Sequence, residues 1–271
     1  GQEEQEEIFL VRGAEGESTR GLRQKTSREP HPGATGKLRL CTPRRDKTPR
    51  PSALAPDFIA YSGSGKHVCV EYPMALSYQA AVQLWDLAQK KGVVLHEEHI
   101  ELLTEDYKQL KKEVEGKTLL EGSLHFAGGA LKPGFGFLAF SGIARLSWLA
   151  DLFGELSVSA ATFEEDAEQG YSKMTAQLLT SDSKPLTWIE ERQAGLPRTK
   201  KINFVFDGFT LTQIPPAPRG TVGLFMQDLI YFSAKLSGQV STEELDRERV
   251  RILHCLGLAQ KIQDLSCSNK S

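Results

Sequence analysis

The sequence predicts a chain of mixed class, in which a small α/β region with a parallel sheet leads into a larger α+β region whose sheet is largely antiparallel and flanked by helices. Three observations predict it. A strand–helix–strand pattern runs over residues 66–95, the repeating unit of a parallel sheet. Segments of strand-like alternation recur between residues 123 and 206. Finally, Asp207-Gly208 stands between INFVF and FTLTQI, and both positions favour the positive φ of a two-residue hairpin turn. At 271 residues and 39% apolar content the chain can bury one large core or two ordinary ones.

Residues 1–56 carry few large apolar side chains, and Pro30, Pro32, Pro43, Pro49, Pro51 and Pro56 deny the stretch from 27 to 56 a helix or a central strand. The basic cluster of Arg44, Arg45, Lys47 and Arg50 would stay solvated. Disorder is expected there, with one short strand over residues 8–11. From Asp57 the texture changes. KHVCVE at 66–71 reads as a buried strand, and 77–91 as a helix with Ala80, Leu84, Leu87 and Ala88 on one face, capped by Ser77 and ended by Gly92. A short strand over 93–95, a helix over 99–114 and another over 141–153 follow. Strands are expected over 123–127, 157–163, 173–179, 186–191 and 201–206. A helix over 224–236 is stopped by Gly238, and a last one opens on the capping box Ser241-Thr-Glu-Glu244.

Composition excludes several classes of partner. A formal charge of −2 with acids and bases interspersed leaves no overall footprint for nucleic acid or an anionic membrane. No apolar run is long enough to span a bilayer, and the acidic start at Glu3, Glu4, Glu6 and Glu7 is opposite in sign to a secretory signal. Cys41, Cys69, Cys255 and Cys267 are too scattered for a disulfide framework, so reduced thiols and a cytoplasmic location are expected.

GKHVCVEYPMALS (65–77), VLHEEHIELL (94–103), AFSGIARLSWL (139–149), LTWIEE (186–191) and RILHCLGLA (251–259), in this order and spacing, resemble the biliverdin reductase family of the glucose–fructose oxidoreductase and inositol dehydrogenase-like superfamily. The resemblance covers about 210 residues. It implies a Rossmann domain followed by a largely antiparallel sheet domain. Residues 57–98 would close the nucleotide-binding domain, 99–240 form the bilin domain, and 241–271 the last helix and tail. The GxGxxG turn that takes a dinucleotide's pyrophosphate is not found. The nearest glycines, Gly13 and Gly16, then Gly33 and Gly36, have the wrong spacing. Residues 1–56 are therefore unmatched, and the parallel sheet is expected as a remnant.

The implied activity is NAD(P)H-dependent reduction of biliverdin IXα to bilirubin IXα by a monomer, with NADPH or NADH as cofactor. The alternative is a catalytically inactive truncated isoform, or a gene-model remnant, that acts at most as a bilin-binding or interaction module. Tyr72, in the superfamily's EKP-like tripeptide Glu71-Tyr72-Pro73, ends a parallel strand where open α/β sheets bind ligands, and is expected at the nicotinamide. Arg145 is a candidate for a bilin propionate, against a plain salt bridge, because a guanidinium suits a carboxylate in bidentate geometry. Lys200 and Lys201 are candidates for the second propionate, against a solvated strand end. Glu98 and Glu101, three apart, would share a helical face toward the cleft, against a role as helix-dipole partners. His96-Glu97-Glu98-His99 is not HExxH and gives little support for zinc. The resemblance implies one zinc ion at His254, Cys255 and Cys267, with Ser266 where the family pairs a cysteine; a buried cysteine beside a surface histidine is the alternative. YSKM at 171–174 fits a strand better than a phosphotyrosine motif.

Overall fold

The chain's structure, a computed structural model, describes residues 65–131, 136–218 and 220–268 together with two strands nearer the start, Ile8–Val11 (β1) and Leu38–Cys41 (β2). The disorder expected over the rest of residues 1–56, and the glycines at 13, 16, 33 and 36, lie outside the described residues. β2 is an addition to the expected elements. It is an edge strand, which is where a proline-rich segment can pair without supplying donors on both sides.

The apolar His67–Glu71 (β3) lies between β1 and Leu95–Glu98 (β4), all parallel, in the order β2-β1-β3-β4. The helix Tyr78–Lys91 (α1) crosses from β3 to β4. The Ser77 side chain accepts a hydrogen bond from Ala80 N, and Gly92 ends the helix at φ 66°, so both cap residues do what their chemistry predicts. The second helix is interrupted and does not start at His99. Ile100–Leu103 (α2) is one turn, and Thr104 caps a separate Glu105–Val114 (α3). Glu98 therefore lies on a strand and not on a helical face with Glu101. The cause is register: β4 extends until Glu98 pairs with Glu71, and β-pairing with β3 outweighs the helical spacing of these carboxylates.

Leu119–Gly128 (β5) enters the larger sheet. Leu138–Ser141 (α4) and Ile143–Phe153 (α5) follow, then Leu156–Asp166 (β6), Tyr171–Thr180 (β7), Pro185–Arg192 (β8), Thr199–Phe206 (β9) and Phe209–Leu211 (β10). The order is β10-β9-β5-β8-β7-β6. All neighbours are antiparallel except β5 and β8, and β9 and β10 meet across Asp207-Gly208. Leu224–Leu236 (α6) and Thr242–Ser268 (α7) complete the chain. Ser241 Oγ accepts from Glu244 N, as the capping box predicts. A common core joins Val68 and Val70 of β3 to Trp148, Trp188 and Phe204 and to Ile252 and Leu256 of α7. Apolar burial thus runs continuously from the parallel sheet to the antiparallel one. Tyr171 is part of strand β7, and its hydroxyl donates to Glu191 at 3.0 Å.

Candidate functional site

Strands β3 and β4 alternate between two covered faces. Val68, Val70 and Leu95 face the main core, while Cys69 packs with Phe232 of α6. The same alternation separates His96 and Glu98 from Glu97 and His99. Just past the end of β3, Met74 N donates to Glu97 Oε2 at 2.6 Å, and Glu97 Oε1 lies 2.7 Å from His99 Nε2. The imidazole of His99 stacks on the Tyr72 ring, with centroids 5.8 Å apart and planes 12° from parallel. Tyr72 thus stands at the carboxyl end of a parallel strand, stacked on a histidine that lies within ion-pair distance of a buried carboxylate. Glu98 sits beside it on the neighbouring strand end, buried and opposite Glu71.

A second group of charges gathers on the antiparallel sheet. Arg145 of α5 is 2% exposed and binds Glu190 through Nε at 2.6 Å and Nη2 at 3.2 Å. Its guanidinium also lies 4.1 Å from the Phe126 ring, with those of Arg192 at 4.7 Å and Arg198 at 5.5 Å. AFSG at 139–142 makes this pair fit: a Cβ on Gly142 would fall 2.6 Å from Glu190 Oε1 and 2.7 Å from Trp188 Cζ2. Lys200 Nζ donates to Glu101 Oε2 at 2.8 Å and lies 3.7 Å from the Trp148 ring, while Trp148 Nε1 donates to the Glu101 carbonyl at 3.2 Å. Burial pushes the Glu101 carboxyl up, but Lys200, Arg145 and Arg198 more than offset it and hold it below its ordinary value. Burial lowers Lys200, and Glu101 only partly restores it. Glu101, Arg145 and Lys200 therefore form one electrostatic cluster, whereas Lys201 is exposed.

His96 belongs to a third, buried network. Its Nε2 is 2.9 Å from Asp228 Oδ2, its Nδ1 is 2.7 Å from Lys235 Nζ, and Lys235 donates to Glu248 Oε1 at 2.7 Å. The sequence offers His96, Glu97 and His99 only as a weak metal motif and gives no sign of this network or of the stacking on Tyr72. Period-two alternation through HEEH was the available signal for Glu97 and His99. Asp228 and Lys235 lie more than 130 residues from their histidine and carry no local signal.

The C-terminal zinc set does not form. His254, Cys255 and Cys267 lie on the single helix α7, and twelve residues along a helix rise by about 18 Å, too far for one ion to bridge. His254 Nε2 instead accepts from Leu156 N at 3.1 Å, Cys255 is buried with Sγ 3.9 Å from Ser147 Oγ, and Cys267 is exposed. Burial pushes the Cys255 thiol up to about 12, which makes it a packing residue.

The family profile described as "Biliverdin reductase, catalytic" matches residues 107–218, and that described as "Oxidoreductase family, NAD-binding Rossmann fold" matches residues 58–99. Biliverdin reductase A of Homo sapiens is 53% identical over 216 residues, which are 79% of this chain and 73% of that protein. The Mus musculus protein is 53% identical over 208 residues, 76% and 70% of the two chains. Among solved structures, biliverdin reductase from Synechocystis sp. PCC 6803, in complex with biliverdin and NADP+, superposes with a TM-score of 0.64 at 21% identity, covering 79% of this chain and 76% of that one. A structure described as a "putative myo-inositol dehydrogenase" from Sinorhizobium meliloti 1021 gives a TM-score of 0.66 at 14% identity, covering 85% and 78%. The two structures share the fold, and the mammalian relatives, at 53% identity over most of their length, fix the family: this chain belongs to the biliverdin reductase A family.

Proposed function

We propose that the chain is an NAD(P)H-dependent oxidoreductase that reduces biliverdin IXα to bilirubin IXα. The observation that carries this reading is the 53% identity over 216 residues to a protein of that activity. Residues 57–98 close the nucleotide-binding sheet, to which β1 and β2 lend two strands from residues 1–56. Residues 99–240 form the bilin domain and 241–271 the last helix and tail. Among the described residues no helix is long and apolar enough to cross a membrane. A cytoplasmic, monomeric enzyme with neither nucleic-acid nor membrane partner is part of the same proposal.

The carboxyl ends of β3 and β4 fit the nicotinamide end of a dinucleotide, since they offer an aromatic face, Tyr72, held in place by His99. When bound, the dinucleotide would supply the hydride for the central methine carbon of the bilin, and a proton from solvent completes the reduction at a neighbouring pyrrole nitrogen. The chain's own residues do the rest. Tyr72 fixes the plane on which the reacting groups stack. Glu98 charges the end of β4 on the face of His96, Glu101 charges α2, and Lys200, paired with Glu101, exchanges that partner for a bilin propionate. Arg145 holds β8 and α5 together beneath Phe126 and so positions the bilin wall.

The test is loss of biliverdin absorbance in the presence of NADPH or NADH, with bilirubin identified as the product. Turnover supports the proposal. Bilin binding without turnover or a change in NADPH fluorescence replaces it with the inactive bilin-binding module.

A further inference from the structure

We propose that Cys69, His96 and Asp228 form a metal site for a borderline-soft divalent cation such as zinc, one that clips the parallel sheet to α6. The Cys69 Sγ, a ring nitrogen of His96 and a carboxylate oxygen of Asp228 all lie within 4.8 Å of one another, and all three residues are buried. Cys69 and His96 are register partners on adjacent parallel strands, so their side chains leave the sheet on the same face, and α6 brings Asp228 down onto that face. A thiolate, an imidazole and a carboxylate are the ligand types that zinc takes, and three protein ligands leave one position of a tetrahedron open.

The surroundings supply what such a site needs. Lys235 Nζ is 2.7 Å from His96 Nδ1, the ring nitrogen turned away from Asp228, and Glu248 holds that ammonium at 2.7 Å. This outer pair fixes the ring so that Nε2 is aimed at the site. With Nδ1 accepting from the Lys235 ammonium, the proton of His96 is on Nε2 and faces Asp228. Entry of the ion therefore displaces two protons to solvent, one from the Cys69 thiol and one from His96 Nε2, and the Lys235 ammonium proton is then shared with Nδ1. An entry path exists, because His96 and Asp228 also line a cleft of about 1130 Å³ along which carboxylates outnumber basic side chains.

Cobalt(II) and zinc(II), added singly to the metal-free full chain, test the proposal. One cobalt ion per chain is expected to bind and to give a near-ultraviolet thiolate-to-cobalt band. Zinc should displace it and raise the melting temperature. Cys69→Ala should abolish the band and Asp228→Asn should weaken binding at least tenfold, while the double variant Cys255→Ala, Cys267→Ala keeps both band and affinity. A band that survives Cys69→Ala, or disappears with the C-terminal pair, overturns the assignment. Should Cys69→Ala fail to fold, zinc-edge X-ray absorption on the unaltered chain decides. One sulfur in a shell of nitrogen and oxygen supports the site, whereas none, or two or more, rejects it.

Discussion

The His99 ring lies over that of Tyr72, inclined by 12°, and its Nε2 sits 2.7 Å from the Glu97 carboxylate. Within the proposed function this orders the roles: Tyr72 is the residue set to meet the reacting groups, the stacked His99 ring limits how far the phenol ring can tilt, and the Glu97 carboxylate, bound to Met74 N, stands within ion-pair distance of His99. His99 is thus a positioning residue. His99→Ala should lower kcat for biliverdin about tenfold, equivalent to roughly 1.4 kcal/mol of barrier. KM for the dinucleotide and the melting temperature should hardly change. His99→Phe, which keeps the stacking surface, should recover part of the loss. Steady-state kinetics on the three proteins check this, and an equal rise in KM for both substrates would show that the ring serves only the local fold.

Lys200 offers a different test, since it is half of an ion pair in the resting site and, in the proposed function, a propionate ligand. If the pair opens to admit a carboxylate, Lys200→Ala should raise KM for biliverdin by about tenfold, the size expected for one charge-assisted hydrogen bond of roughly 1.5 kcal/mol. It should leave KM for biliverdin dimethyl ester, which has no propionate charge, almost unchanged. Equal effects on acid and ester would place Lys200 outside the bilin contact and leave it as the partner of Glu101.

Much of this architecture is legible in the sequence because its signals are local. Ser77 and Gly92 bracket α1, Asp207-Gly208 turns β9 into β10, and Ser241 opens α7, each by contacts within a few residues. Signals failed where tertiary pairing overrode them. Glu98 has the helical spacing to Glu101, yet β4 continues to Glu98 because Glu71 is there to pair with it. Arg145 could be read as a ligand or as half of a salt bridge. Only the fold brings Glu190 to it across 45 residues, and only Gly142 leaves room for the carboxylate. The C-terminal zinc ligands, implied by the resemblance, failed because one continuous helix, α7, carries Cys267 twelve residues beyond Cys255.

The Arg145–Glu190 pair should behave as a buried one. Arg145→Met leaves Glu190 without its bidentate partner in a dry site and should cost about 3–5 kcal/mol of unfolding free energy. Arg192, whose Nη2 is 3.5 Å from Glu190 Oε2, together with Trp188 Nε1, which donates to Oε1 at 3.2 Å, should keep the loss toward the lower end. Replacing both partners, Arg145→Met with Glu190→Leu, should recover most of the stability, because the uncompensated charge is gone. Urea unfolding of the single and double variants separates these outcomes, and a double variant no better than the single would mean that packing against Phe126, rather than charge, sets the cost.

Asp151 of α5 provides the pH test. It accepts from the Tyr107 hydroxyl and, at 2.8 Å, from Lys111 Nζ, tying α5 to α3. Burial pushes its carboxyl up, but these two hydrogen bonds and the charges of Lys111 and Arg251 outweigh it, and the group titrates below its ordinary value of 3.8. A depressed carboxylate pKa stabilises the fold fully above the unfolded value, and that contribution is lost as the pH falls through the folded one. The stability gap between the wild-type chain and Asp151→Asn should therefore stay constant from about pH 7 to about pH 5 and shrink below about pH 4. Because half of the Lys111 side chain is exposed, Lys111→Ala should reproduce little of this effect, whereas Tyr107→Phe should reproduce more, the phenol being buried. Urea midpoints of the four proteins across this range check the assignment. A gap independent of pH would mean that Asp151 serves as a hydrogen-bond acceptor whose ionisation is irrelevant to the α3–α5 contact.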